Sequence, residues 1–216
     1  DGATDATVLD AGSGLIDING VGDVTIGSVV TTNTTANAVN IATTVGAILD
    51  GGDFADDIIA DGGTTTLAAG TSIGTAGNGL NTTIDRLDAT ASFGVVHLDE
   101  TNGLSAVSVT ATGAGNDVDI SSTTGDILVG VVTAPDTITL TAADGGVEEL
   151  AGGEADADSD LVATTLDLDA TVGIGDGATL EVTTTSIAAD TTNNNIDLLN
   201  QNPGVAVTAT SLTTGT

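Results

Sequence analysis

The sequence predicts an all-β chain and, within that class, a parallel β-solenoid of about nine rungs. Three observations carry this. Val, Ile, Leu, Ala and Thr dominate the 216 residues, Gly is frequent at 30, Pro is rare at 2, and aromatic residues make up only 1%. Side chains branched at Cβ favour pleated, half-buried strands. Aliphatic residues recur in pairs two apart, and the whole pattern returns after about 100 residues.

The pairs mark the strands in order: Ile16/Ile18, Val24/Ile26, Val39/Ile41, Val96/Leu98, Val107/Val109, Val118/Ile120, Ile127/Val129, Ile138/Leu140, Leu166/Leu168, Leu180/Val182, Ile196/Leu198 and Val205/Val207. Each reads as a strand of about three to five residues with one face turned inward. Gly, Asn, Asp and Thr separate them, which is turn chemistry. A tighter cassette sets a Gly five residues after the second member of a pair. It ends at Gly46, Gly125, Gly145 and Gly173, with a fifth copy ending at Gly94. Almost no stretch carries the apolar stripe of a helix without a Gly inside it.

The cassettes sit in a longer repeat. Val24 matches Ile127 at an offset of 103 residues, Val39 matches Ile138 at 99, Ile73 matches Ile174 at 101, and Leu80 and Val96 match Leu180 and Ile196 at 100. The chain thus reads as one continuous repeat segment over 1–216. Residues 1–23 are the end of a preceding copy, 24–126 copy one, and 127–216 copy two, cut before its end. Aliphatic positions stay aliphatic between copies. Gly94 is replaced by Asn194, which predicts a left-handed turn there.

Two folds suit such a unit. Tandem immunoglobulin-like sandwiches are the alternative, at about 100 residues per domain. The solenoid is preferred because strand signals recur too often for a seven-stranded sandwich, the strands are very short, and there is no Trp or Tyr for a sandwich interior. Three strands per rung require about 22 to 27 residues, with rungs about 4.8 Å apart.

Charge narrows the function. Thirty-one acidic residues face one Arg and no Lys, a net charge of −30. Phosphate binding needs Lys and Arg, so nucleic acid is excluded as a partner. No apolar run approaches the length of a spanning helix, so no membrane insertion is expected. Without Cys there is no disulfide framework and no thiolate metal site.

The strings I-T-L-T-A-A-D-G-G-V-E-E-L (138–150), L-D-L-D-A-T-V-G-I-G (166–175) and L-E-V-T-T-T-S-I-A-A-D-T-T-N-N-N-I-D-L (180–198) resemble the repeat regions of filamentous-haemagglutinin-like giant surface proteins of Gram-negative bacteria. The likeness lies in pattern and covers most of the chain. It implies a right-handed parallel β-helix, secreted or held at the bacterial cell surface, acting as a stalk, adhesin shaft or matrix filament. The family's secretion domain and a receptor-binding module have no counterpart in these residues. Self-association into a filament, or continuation in a longer polypeptide, is the expected partnership, with host or cell-surface receptors or glycans as further candidates.

The sharpest local feature is acidic. Glu154, Asp156, Asp158 and Asp160 alternate with small residues. In a loop, D-x-D-x-D is the ligand spacing of a hard oxygen site for Ca²⁺. The aligned segment of copy one supplies Asp53, Asp56 and Asp57. Neither stretch follows the EF-hand, which requires Gly after the third Asp. The plainer reading is a solvated, solubilising surface. No cofactor is required by any other motif. His97 alternates with Val96 and Leu98 and therefore faces outward, and Arg86 between Asp85 and Asp88 suggests a local ion pair. Without a nucleophile–base pair, thiolate or basic patch, no catalysis is expected. Ca²⁺-rigidified sandwich domains of a giant adhesin and, less favoured, a β-helical carbohydrate-active enzyme are the other readings.

Overall fold

The computed structural model describes residues 8–52, 56–152 and 158–215. Among them are 20 strands and no helix, so no helix is long and apolar enough to cross a membrane. The chain winds as a parallel β-solenoid of about nine turns. The only antiparallel bridge among the described residues joins Thr75 to Asn78 within one loop. Sandwiches built from antiparallel hairpins are thereby ruled out.

Each turn crosses three faces. The first ladder rises from Ile16 through Val39 and Thr65 to Leu87. One strand-step along the same face it continues from Ala89 through Val109, Val132 and Leu161 to Val182. The second rises from Val24 through Ile48, Ile73, Val96, Val118, Ile138 and Leu166 to Ile187. The third starts with Val29, Ile58 and Thr82, and higher up holds Leu104, Ile127, Val147, Ile174 and Ile196. Successive members of the second ladder lie 20 to 28 residues apart, the longest turn containing the acidic segment before Leu161.

Alternation sets the core. In Val118–Ser122 buried residues alternate with half-buried ones; in Ile127–Thr133 the alternation is interrupted once, where Val129 and Gly130 are both buried. The interior is a stack of Ile, Leu, Val and Ala, and Phe93 stands exposed on a corner. Each fully buried Val, Leu or Ile side chain contributes about 1.5–3 kcal/mol of hydrophobic stabilisation.

The two copies do not sit on the same faces. Val24, Ile48, Ile73 and Val96 of the second ladder correspond to Ile127, Val147, Ile174 and Ile196 of the third. Ile16, Val39, Thr65 and Leu87 of the first correspond to Val118, Ile138, Leu166 and Ile187 of the second. Val29 and Ile58 of the third correspond to Val132 and Leu161 of the first. One repeat therefore advances four turns plus one face.

Three details differ from the sequence reading. Val205 and Val207 lie outside a strand; the strand is Thr208–Thr214, because pairing Ser186 with Thr208 fixes the register. Of the expected pair Val107/Val109, Val109 faces inward but Val107 does not, because a bulge between Ala106 and Ser108 puts Ala106 inward in its place. Asn194 does adopt a left-handed backbone with φ 62, but Gly94 does not. Gly94 is needed for space, since a Cβ there would collide with Ser72 on the turn below.

Candidate functional site

The acidic residues divide by where the corners place them. Strand hydrogen bonds stop at a corner, and the backbone N–H of the following turn would be left without a partner. Asp side chains fill that gap. Asp23 Oδ1 accepts the Ala47 N–H at 2.9 Å, and its repeat counterpart Asp126 accepts the Gly146 N–H at 2.8 Å. Asp57 Oδ2 accepts the Asn81 N–H at 2.9 Å, and its counterpart Asp160 accepts the Glu181 N–H at 2.9 Å. Asp117 does the same for Thr137 at 3.0 Å. Hydroxyls tie in the opposite direction. Thr31 donates to the Gly14 carbonyl at 2.7 Å, Ser122 to Asn102 at 2.8 Å and Thr184 to Thr164 at 3.0 Å. At these corners the Asp carboxylates reach up to N–H groups of the next turn and the hydroxyls reach down to carbonyls of the one below.

Of the residues expected to bind Ca²⁺, Asp53, Glu154 and Asp156 lie outside the described residues. The others are dispersed. Asp57 and Asp160 are both 0% exposed, whereas Asp158 is exposed. Neighbours in sequence also part company: Asp56 accepts from the Thr83 hydroxyl at 2.6 Å, while Asp57 is buried and bound to Asn81. Among the described residues, no three His, Asp or Glu groups converge in the geometry of a metal centre.

Burial shifts two of these acids upward. Asp57 is raised from 3.8 to about 7, chiefly by desolvation, with the Asp50 charge adding to it and the amides of Asn81 and Gly51 opposing. Glu100, 1% exposed, is raised from 4.5 to about 7 by desolvation, which outweighs its hydrogen bonds from Thr82, Asn102, Ile84 and Thr101. Sequence reasoning passed over Glu100, whose only signal was its inward register after Val96 and Leu98.

His97 points outward as expected, yet its side chain is only 14% exposed. Nδ1 lies 2.6 Å from the Thr75 carbonyl, so it donates to the loop that folds over this face. Nε2 stands 3.6 Å from Asp119 and 3.8 Å from Asp99. Burial raises Asp119; the neighbouring His97 opposes this, and Asp99 and Asp117 add to it. The Ser121 hydroxyl donates to Asp99 at 2.8 Å, and no hydroxyl is bonded to His97 among the described residues. The array lacks an activated nucleophile. Arg86 is exposed on the sheet, and no ion pair joins it to Asp85 or Asp88.

A groove of about 520 Å³ runs past Thr112, Pro135, Thr164 and Thr185. Its walls are mostly Thr and Ala, with Val162, Gly113, Pro135 and Asn202, and no titratable side chain lines it. It offers hydroxyls and methyl groups but no acid or base. No family model, no characterised protein and no solved structure matches the chain.

Proposed function

We propose that this chain is a structural segment of an extracellular bacterial fibre, adhesin shaft or matrix filament, and that it performs no catalysis. The observation that carries this reading is the continuity of the ladders. Turn after turn is tied by backbone, by upward carboxylates and by downward hydroxyls around an uninterrupted aliphatic core. About nine such turns form a rod of about 40 Å at the usual strand spacing. The surface supports the same role. Its charge of −30 keeps a thin rod soluble and repels anionic membranes. Among the described residues Val8–Asp10 and Thr208–Thr214 are each paired on one side only, and such an edge would accept a further parallel strand, from the same polypeptide or a second copy. The likeness of its strings to filamentous-haemagglutinin-like repeats points to the cell surface.

Antibodies raised against the folded segment test the location. Immunogold label on the envelope or on filaments of intact cells is the expected result, and label confined to the cytosol overturns it. Incubation with polysaccharide, ester and peptide substrates tests the inertness. Turnover abolished by a single Asp→Asn change would falsify the structural reading.

A further inference from the structure

The negative charge is not spread evenly around the rod. At the corner where the strands of the first face end, residues 20–22, 44–46, 70–72, 92–94, 112–116, 134–135, 163–164 and 184–185 contain no acidic side chain. Phe93, Val21 and Val45, at 78%, 72% and 66%, are the most exposed large apolar residues among those described, and all three stand on this corner. The Val45 N–H donates to the Val21 carbonyl, which sets these two on adjacent turns. The groove past Thr112 and Pro135 continues the same edge. The Thr112 hydroxyl donates to the Ser92 carbonyl, that of Thr164 to Pro135 and that of Thr185 to Thr164. A Cβ on Gly113, in the wall of the groove, would lie 3.7 Å from the Phe93 Cα.

The pairings that run from Ile18 through Ala89 to Val182 count eight turns along this edge. Val21, Val45 and Phe93 project from the first, second and fourth, and Thr112, Pro135, Thr164 and Thr185 line the groove on the fifth to eighth. Apolar knobs thus occupy one half of an uncharged edge and the groove occupies the other. A two-fold axis between the fourth and fifth turns exchanges the halves. It sets Phe93 against Thr112, Val45 against Thr164 and Val21 against Thr185. The exposed Asp136, beside the groove on the sixth turn, meets Gly70 and Thr71 on the third, where no acid opposes it.

We propose that this edge is the contact between two antiparallel copies of this chain, each seating its three knobs in the groove of the other. A second copy is the fitting occupant because an isologous contact requires knob and socket on one surface in two-fold order. Two strongly anionic rods also meet here without facing carboxylates. The strip is narrow and about 34 Å long at the usual strand spacing, so a single contact is weak and concentration-dependent. The inference is independent of the fibre reading, since the pairing would hold for a solenoid of any function.

Analytical ultracentrifugation over a range of protein and NaCl concentrations tests it. Wild type is expected to show a monomer–dimer equilibrium that tightens as salt screens the charge. Phe93→Ser is expected to weaken it about tenfold or more, as loss of a central aromatic anchor does. Phe93 is exposed, and circular dichroism checks that the variant keeps its fold. Cross-linking reads the register, because the chain has no Cys of its own. Single variants Val45→Cys and Thr164→Cys, mixed under oxidation, are expected to join each other faster than either joins itself. A wild type that stays monomeric throughout overturns the proposal. So do dimers indifferent to Phe93→Ser, as association through the strand edges at the ends of the rod would be, and cross-links formed as readily within each single variant as between them.

Discussion

Glu100 stands above Ile84 where the strand ladder is interrupted, and its carboxylate takes up the Ile84 N–H at 3.1 Å. The same group accepts the Thr82 hydroxyl at 2.6 Å, the Thr101 N–H at 3.1 Å and the Asn102 N–H at 3.2 Å. One side chain therefore replaces a missing piece of backbone as the chain leaves Val96–Glu100 for its next strand.

The protonation of Glu100 makes stability depend on pH. Its folded value of about 7 lies above the ordinary 4.5, so the native state binds the proton more tightly than the unfolded state. The stabilisation is fully present below the unfolded value and is lost as pH rises through about 7. A shift of this size corresponds to about 3 kcal/mol. Asp169, raised by burial and by the charges of Asp167 and Asp190, acts in the same direction. Melting temperature is expected to climb between pH 8 and pH 5, and Glu100→Gln to flatten the climb. A melting temperature that falls over this interval in wild type contradicts the assignment.

The corner ties are expected to be additive. Asp126→Ala leaves the Gly146 N–H without its acceptor and should cost about 1–3 kcal/mol. Asp23→Ala should cost a similar amount for Ala47. The two corners are about four turns apart, so the double variant should show the sum to within about 0.5 kcal/mol. Urea denaturation of the four proteins reads this directly, and a loss below about 0.3 kcal/mol for either single variant would count against the ties.

Two glycines separate the steric from the permissive. A Cβ on Gly46 would overlap the backbone of Gly22 and Asp23, whereas one on Gly22 would meet nothing within 4 Å. Gly46→Ala should destabilise by about 1–3 kcal/mol or more, as overpacking does. Gly22→Ala should change stability by less than about 0.5 kcal/mol. Equal losses in thermal melts of the two would show that crowding at the corner is relieved by backbone movement.

Monovalent salt should stabilise the rod. Thirty net negative charges have a single Arg among them, and that Arg forms no ion pair within the described residues. At an ionic strength of about 0.01 M the Debye length is about 30 Å, and at about 1 M it is about 3 Å. Melting temperature in chelator-treated buffer is expected to rise steadily with NaCl over that range. A flat profile would mean that the carboxylates are already compensated.

Much of the architecture was legible because its signals are local. Period-two aliphatic pairs announced Val118–Ser122 and Ile127–Thr133, and the recurrence of corner glycines announced the turns. What stayed hidden depends on contacts between turns. Asp56 and Asp57 look alike as a sequence pair, yet a corner turns one to Thr83 and buries the other. His97 alternates outward, but the loop bearing Thr75 covers it, a contact 22 residues away. Gly94 and Asn194 share a position in the repeat and a tolerance for φ > 0, but only Asn194 uses it. Offsets near 100 residues revealed the repeat; they could not reveal its pitch, because turns of 20 to 28 residues leave the number of turns per unit undetermined.

The advance of four turns plus one face gives the molecule a second, slower screw. In an array that kept this register, equivalent residues would wind around the rod as a threefold screw and regain their original azimuth only after three units. Those three units comprise 13 turns, about 62 Å at the usual strand spacing. A feature carried once per unit, such as the Asp57 and Asp160 corners, would then appear on all three sides in rotation. Such a shaft would have no preferred flank: neighbours, ligands or ions would meet the same chemistry from any direction of approach.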